Sequence, residues 1–345
     1  MRSSNNTVFS GKMEKMEIGE YSENFRKRDL RRIGIIFGVT LVAALLYILA
    51  LFGGSKSGPI HFQCPREIER AENYDPSSFD EVYEQETKRI TNNLTEFLET
   101  FRTDSFDDWG HTYDEVKTGM YHWKSRMFPP EINEGDSIYE SACGIGLNLF
   151  MTLEILKEVK NIDTLYVYGN EYLHVSADKA NAVFDTVAPN KAKKGTICAG
   201  DSTNLYFVPS NAFDLVYTGY ISPLLDPLHF NLESDQNYKK LSTLCTSNDW
   251  QSQMLSDMGQ EVQDNFYGKW VAEMVRIAKP GKAVIVEQVS VPYCDEFLDW
   301  GGVNYSFWET GITKYGWDID PTSLVFEDDT IFTRRYHVFM RKNKK

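Results

Sequence analysis

The chain has 345 residues, room for one large domain or two modest ones, and it is 42% apolar and 25% charged, the composition of a globular protein rather than a disordered or fibrous one. Fifty acidic residues against 36 basic ones give a net charge of −14, which disfavours nucleic acid, whose phosphates require a basic surface. The negative mean hydropathy excludes a polytopic membrane protein, and five scattered cysteines without a CxxC pair exclude a zinc ribbon or a disulfide-dense miniature scaffold.

The charge is unevenly spread. Residues 1–53 carry eight basic and five acidic side chains, a surplus of +3, so the remainder carries −17. Residues 1–32 read as a basic tail. Ile33 to Phe52 then run for twenty residues without a charge. At about 1.5 Å per helical residue this run matches the roughly 30 Å hydrocarbon core of a bilayer. A cleavable signal peptide would have a shorter apolar region and a shorter lead than 32 residues. Arg26, Lys27, Arg28, Arg31 and Arg32 precede the span, and only Lys56 follows closely. The positive-inside rule therefore predicts a type II single-pass protein, N-terminus cytosolic and acidic body lumenal. The sequons Asn93-Leu94-Thr95 and Asn304-Tyr305-Ser306 are compatible with that orientation.

Residues 53–105 read as a tether and stalk. Gly53 to Pro59 is Gly/Ser-rich, and Ser78 to Phe101 has the apolar spacing of an amphipathic helix with a capping box at Ser78 and Glu81. A second helix is expected over Thr112 to Met127, ended by Pro129-Pro130. Its aromatics Tyr113, Tyr121 and Trp123 are expected to pack against a domain, with a lid over a ligand as the alternative.

From Ser137 short strands alternate with helices. Strands are expected at Ser137–Ser141, Thr164–Gly169, Lys194–Ala199, Phe213–Tyr217, Ala283–Glu287, Leu324–Glu327 and Arg335–Arg341, and helices near Leu147–Val159, Ser176–Thr186 and Val262–Ala278. This alternation implies an α/β fold, a doubly wound and mostly parallel seven-stranded sheet. Ligands of such sheets bind beyond the carboxyl ends of the strands. After the first strand, Glu140-Ser141-Ala142-Cys143-Gly144-Ile145-Gly146 offers small residues for close backbone approach and an anion suited to an ammonium group. Glu171 ends the second strand, where a carboxylate can accept from both hydroxyls of a ribose. Asp201 and Ser202 follow the third strand, where an acceptor could meet a purine amine, and Thr218 follows the fourth.

In order and spacing these elements resemble the class I S-adenosylmethionine-dependent methyltransferases. Glu140 through Gly146 is similar to that family's acid-x-Gly-x-Gly-x-Gly motif, with Ala142 in place of the first glycine. Phe213-Asp214-Leu215-Val216 is similar to its strand-four signature, and Val275-Arg276-Ile277-Ala278-Lys279-Pro280-Gly281-Lys282 to its helix-to-strand-five connection, often written LKPGG, with Lys282 in place of the second glycine. The alanine is acceptable if its φ is negative. The resemblance, strongest over 137–290, implies a Rossmann-like methyltransferase domain over residues 106–345. It also implies S-adenosyl-L-methionine as cofactor, held by Glu140, Ala142, Gly144, Gly146, Glu171, Asp201, Ser202 and Thr218. Methyl transfer would go by in-line attack to a small-molecule or protein acceptor, with no metal. A base is needed only if the acceptor must lose a proton. Tyr220, Asp226 and His229 are the best-placed catalytic candidates, with His174 and Glu287 behind them. Residues 229–261 form a long connection expected to cap the acceptor site, with Trp250, Met254 and Leu255 as apolar lining. A dinucleotide-dependent dehydrogenase would require a third glycine where Leu149 stands. A catalytically inactive binding module at a membrane is the other alternative.

Overall fold

The computed structural model describes residues 59–66, 112–172, 174–187, 193–219, 244–290, 292, 294, 302–330 and 335–344, all within one compact unit spanning Ser57–Lys345. The expected span at 33–52, the stalk helix at 78–101, the sequon at Asn93 and the candidates Tyr220, Asp226 and His229 lie outside the described residues. Among the described residues no helix is long and apolar enough to cross a membrane.

Helix α1 (Tyr113–Met127) begins at a complete capping box, in which Thr112 and Glu115 satisfy each other's backbone amides. Tyr113, Val116, Met120 and Trp123 recur on one face and are buried, so these positions pack against the domain, whereas Tyr121 faces outward. Then follow β1 (Ser137–Ser141), α2 (Leu147–Lys160), β2 (Tyr166–Glu171), α3 (His174–Val187), β3 (Lys193–Ala199) and β4 (Phe213–Thr218). The chain continues with α4 (Trp250–Ile277), β5 (Ala278–Ser290), α5 (Tyr305–Lys314), β6 (Val325–Asp328) and β7 (Arg335–Arg341).

The seven strands lie in the order β3-β2-β1-β4-β5-β7-β6. β1 to β5 are parallel, while β7 runs antiparallel to both β5 and β6, so the sheet is mixed. Both faces are covered. Ile138, Leu215 and Ile285 point into one core with α1 and α2, and their neighbours Tyr139, Val216 and Val284 point into another with Trp270, Met274, Trp308 and Trp317. Strands buried on both sides carry near-continuous apolar runs, which is why these were legible.

Two expectations change. Helix α4 starts at Trp250, twelve residues before Val262, because Asp249 caps it by accepting from the Ser252 amide at 2.9 Å. Residues 250–261 are therefore helix rather than loop, and Trp250, Met254 and Leu255 are exposed on it. Strand β5 begins at Ala278, absorbing the Lys279-Pro280-Gly281 turn. Helix α5 was not anticipated; Asn304 caps it by accepting from the Phe307 amide at 2.9 Å.

Two disulfides fasten the periphery. Cys64–Cys198 ties the segment 59–66 to β3, where the Ile60 amide donates to the Tyr168 hydroxyl at 2.7 Å and Phe62 packs on Tyr168 and Phe207. Cys245–Cys294 joins the chain before α4 to the chain after β5. Cys143 remains free and buried.

At the amino edge of the sheet, buried Asp214 accepts from the Ser137 amide at 3.1 Å and pairs with Lys279 at 2.8 Å and Lys282 at 3.4 Å. Lys282, the departure from the glycine of the turn, thus has a structural partner. The lysines are partly solvated, which discounts the pairs. Asp214→Asn should lower unfolding free energy by about 1.5–3 kcal/mol, the range for hydrogen bonds to a charged group, read from urea midpoints.

Candidate functional site

The strand order reverses between β1, which continues to β2 on one side, and β4 on the other. A sheet leaves a crevice at such a switch point, beyond the carboxyl ends. Residues 141–146 turn there. Gly144 (φ +53) and Gly146 (φ +86) occupy left-handed backbone, and Gly146 caps α2 with no side-chain hydrogen bond. The first amides of α2 thus meet the crevice without a side-chain acceptor from the cap. Ala142 also has a positive φ, +53, so the condition that would have made the alanine neutral does not hold. Its methyl is held in a conformation that costs an L-residue about 1–2 kcal/mol.

Of the sequence-derived acids, Glu171 contacts this loop directly. It ends β2 and accepts from the Gly144 amide at 2.9 Å. Asp201 is buried and binds the amide and hydroxyl of Thr203 through one oxygen, both at 2.8 Å, which also makes it a turn-closing residue. Ser202 accepts from Asn170 at 2.9 Å. Thr218 is fully buried at the end of β4, its hydroxyl directed to the Gly219 carbonyl at 3.3 Å. His174 is exposed at the start of α3. The Cys143 thiol is pushed well up by burial and stays protonated, which makes it inert.

Glu140 is 1% exposed. One of its oxygens accepts from the Asn148 amide group at 2.8 Å; the other is buried without a close hydrogen bond, with the Tyr217 hydroxyl also in reach of the carboxyl. Burial pushes its carboxyl up to about 8, against the lowering effects of Asn148 and Lys124. Asn148 also donates to Glu287 of β5 at 3.2 Å, and Glu287 in turn receives Lys124 of α1 at 2.5 Å. Lys124 is fully buried, donates to Thr152 at 3.1 Å and lies over the rings of Phe128 and Tyr217.

Sequence reasoning missed Asn170, Asn148 and Lys124. Asn170 stands in the sequence only as the residue before Glu171, Asn148 lies inside an apolar helix, and no motif or spacing marks Lys124. Glu287 differs from these in that its place at the end of the fifth expected strand marks it as a base candidate.

No family model and no curated relative matches the chain. Solved structures do. A S-adenosylmethionine-bound magnesium protoporphyrin IX methyltransferase of Synechocystis aligns at 8% identity over 79% of this chain and all of its own, TM-score 0.43. A SAM-dependent methyltransferase of Methanosarcina mazei aligns at 12% over 64% of this chain and 98% of its own, TM-score 0.40. A protein of Bordetella parapertussis, described as a possible exported protein, aligns at 13% over 65% of this chain and 67% of its own, TM-score 0.41. SAM-dependent methyltransferases thus stand among the structural neighbours, at a distance where no role passes from them to these residues.

Ala142→Gly should relieve the left-handed strain and raise the unfolding free energy by up to about 1 kcal/mol, seen as a higher denaturant midpoint. The raised Glu140 value carries a pH signature. The folded protein holds that proton where the unfolded chain, near 4.5, has lost it, so this contribution to stability is complete below 4.5 and lost as pH rises to about 8. Glu140→Gln should therefore gain stability relative to wild type as pH climbs from 5 to 9, measured by urea unfolding across that range; a pH-independent difference would refute it.

Proposed function

We propose that the protein is a S-adenosyl-L-methionine-dependent methyltransferase acting on a small-molecule or protein acceptor. The observation that carries this reading is the placement of Glu140, the loop 142–146 with left-handed Ala142, Gly144 and Gly146, Glu171 and Asp201 at the carboxyl ends of β1, β2 and β3, beside the switch point. The residues fit such a cofactor. Glu140 has a buried oxygen without a close hydrogen bond, suited to an ammonium group, and the α2 amides suit a carboxylate. Glu171 is an acceptor for ribose hydroxyls, and Asp201 for an adenine amine.

When bound, this cofactor supplies a methyl carbon already made electrophilic by its sulfonium. The chain then needs to hold and align the two reactants, and alignment alone is a large catalytic term. Any base would come from the segment after the carboxyl end of β4, where Tyr220, Asp226 and His229 follow in sequence. Glu287 is an unsuitable base, because its charge is already committed to Lys124.

The same reading takes the chain to be anchored by residues 33–52 in type II orientation, its enzymatic body lumenal. Two disulfides support an oxidising compartment, since reducing cytosol rarely tolerates them. Burial of Cys143 fits the same surroundings.

Asp201→Ala and Glu171→Gln should each weaken binding of S-adenosylhomocysteine at least tenfold in calorimetry, and unchanged affinity in both would overturn the cofactor assignment. Methyl-labelled cofactor incubated with membrane extract should yield a labelled product that reveals the acceptor. For orientation, glycosidase should shift the cellular protein on a gel, and an Asn93→Gln, Ser306→Ala double variant should lose the shift. Ser306 is the better target because Asn304 itself caps α5.

A further inference from the structure

Two carboxylates and one ammonium are buried together at the glycine loop. Glu140 and Glu287 share the amide group of Asn148, at 2.8 and 3.2 Å; each keeps one buried oxygen without a close hydrogen bond, and the Tyr217 hydroxyl also reaches the Glu140 carboxyl. Lys124 neutralises only one of them. A buried uncompensated charge costs several kcal/mol, so the pair must retain a proton or acquire a cation. Asn148 is the only partly exposed member, and it packs so tightly on Gly219 that a Cβ there would lie 2.9 Å from its nitrogen.

Glu287 reaches this position through an irregularity. The β5–β7 register shifts between Val286 and Val289, and Gln288 takes a positive φ of +54. Such a bulge re-aims a side chain and removes an amide from the ladder. The Gln288 amide is recovered by Nδ1 of His337, 3.1 Å away on β7. That bond fixes the tautomer, leaving the ring proton on Nε2, which faces Asp329 at 3.6 Å. His337 is stacked on Trp123 of α1, the helix that also delivers Lys124. Burial lowers the imidazole's affinity for a proton, which keeps Nδ1 free to accept.

We propose that Glu140 and Glu287 form one anionic seat for the primary ammonium group of the ligand, filled by exchange of a proton for that cation, with Lys124 and His337 as positioning residues. This rests on the reading above and adds to it a second carboxylate from β5, a counter-charge from α1 and a coupled proton. The charged and titratable groups facing Glu140 are Lys124 from α1, Glu287 from β5, Tyr217 from β4 and Cys143 from the loop. Burial pushes both Tyr217 and Cys143 upward, so neither competes for the proton near neutrality. Glu140, raised to about 8, is the proton's holder at pH 7.

The test is calorimetry on the full chain at pH 7, in buffers of unlike ionisation enthalpy, with two probes. S-Adenosylhomocysteine carries the amine; 5′-methylthioadenosine lacks the whole amino-acid end. Wild type should release close to one proton with the first and none with the second. Glu287→Gln should weaken S-adenosylhomocysteine at least tenfold, reduce its proton release, and leave 5′-methylthioadenosine within twofold. Should that variant misfold, Glu140→Gln, which mimics the protonated side chain, should abolish proton release and weaken only the amine-bearing probe. Binding of both probes without proton release, or a Glu287→Gln protein that still discriminates like wild type, overturns the seat while leaving the cofactor assignment intact. Failure to bind either probe removes both.

Discussion

The geometry of the ligand-facing edge depends on one fully buried amide, Asn170. Its oxygen accepts from the Tyr139 and Ser141 hydroxyls of β1, and its nitrogen donates to the Gly200 carbonyl and Ser202 beyond β3. Parallel strands are held by slanted, evenly spaced bonds that end where the strands end. Beyond that point two backbone bonds, from Cys143 to the Asn170 carbonyl at 2.9 Å and from Gly200 to the Glu171 carbonyl at 2.8 Å, still hold the following loops to β2. The Asn170 side chain adds cross-links to these, and Trp270 extends them from α4 by donating to Ser141 at 2.9 Å. Glu171, Asp201 and the 141–146 turn hang from this node, which is why three loops distant in sequence meet at one place.

A second constraint is charge. The interior at the loop contains Glu140, Glu287 and Lys124, each essentially without solvent. Such groups are tolerated only when paired and hydrogen-bonded. Here the pairing draws in α1, which would otherwise be an accessory helix before the sheet begins. Lys117 adds partly exposed pairs to Glu154 and Glu158 of α2, and Tyr113 donates to Glu154 at 2.9 Å. The helix is thus anchored to α2 on its outer side and to β5 on its inner side. Its aromatics follow the same logic, since Trp123 is spent on His337 rather than on covering a ligand.

Much of the fold was legible because strand and helix periodicities report local burial. β1 and β7 fall where the apolar runs placed them, and β2, β3, β4 and β6 within two residues. Helix α4 begins before its buried stretch because its first turns are exposed, Trp250, Met254, Leu255 and Met258 included, so no core packing marks them; the Asp249 cap is the available signal. Helix α5 was missed for a similar reason, being short and introduced by a capping asparagine first read as part of a sequon. At the site, the acids at strand ends could be picked out from sequence because strand ends in a parallel sheet share one edge.

Chain order and local pattern carry the alternation of strands and helices, the edge at which the strand-end acids gather, and the loop 141–146 with Glu140 and Glu171 at its flanks. Only the tertiary structure decided that Ala142 lies in left-handed backbone, that Cys64 pairs with Cys198 and Cys245 with Cys294, and that Lys124 and Glu287, 163 residues apart, share one buried ion pair. Backbone handedness and long-range pairing are set by how β1, β4, β5 and β7 stack side by side, and no local periodicity encodes which charge will face which across that stack.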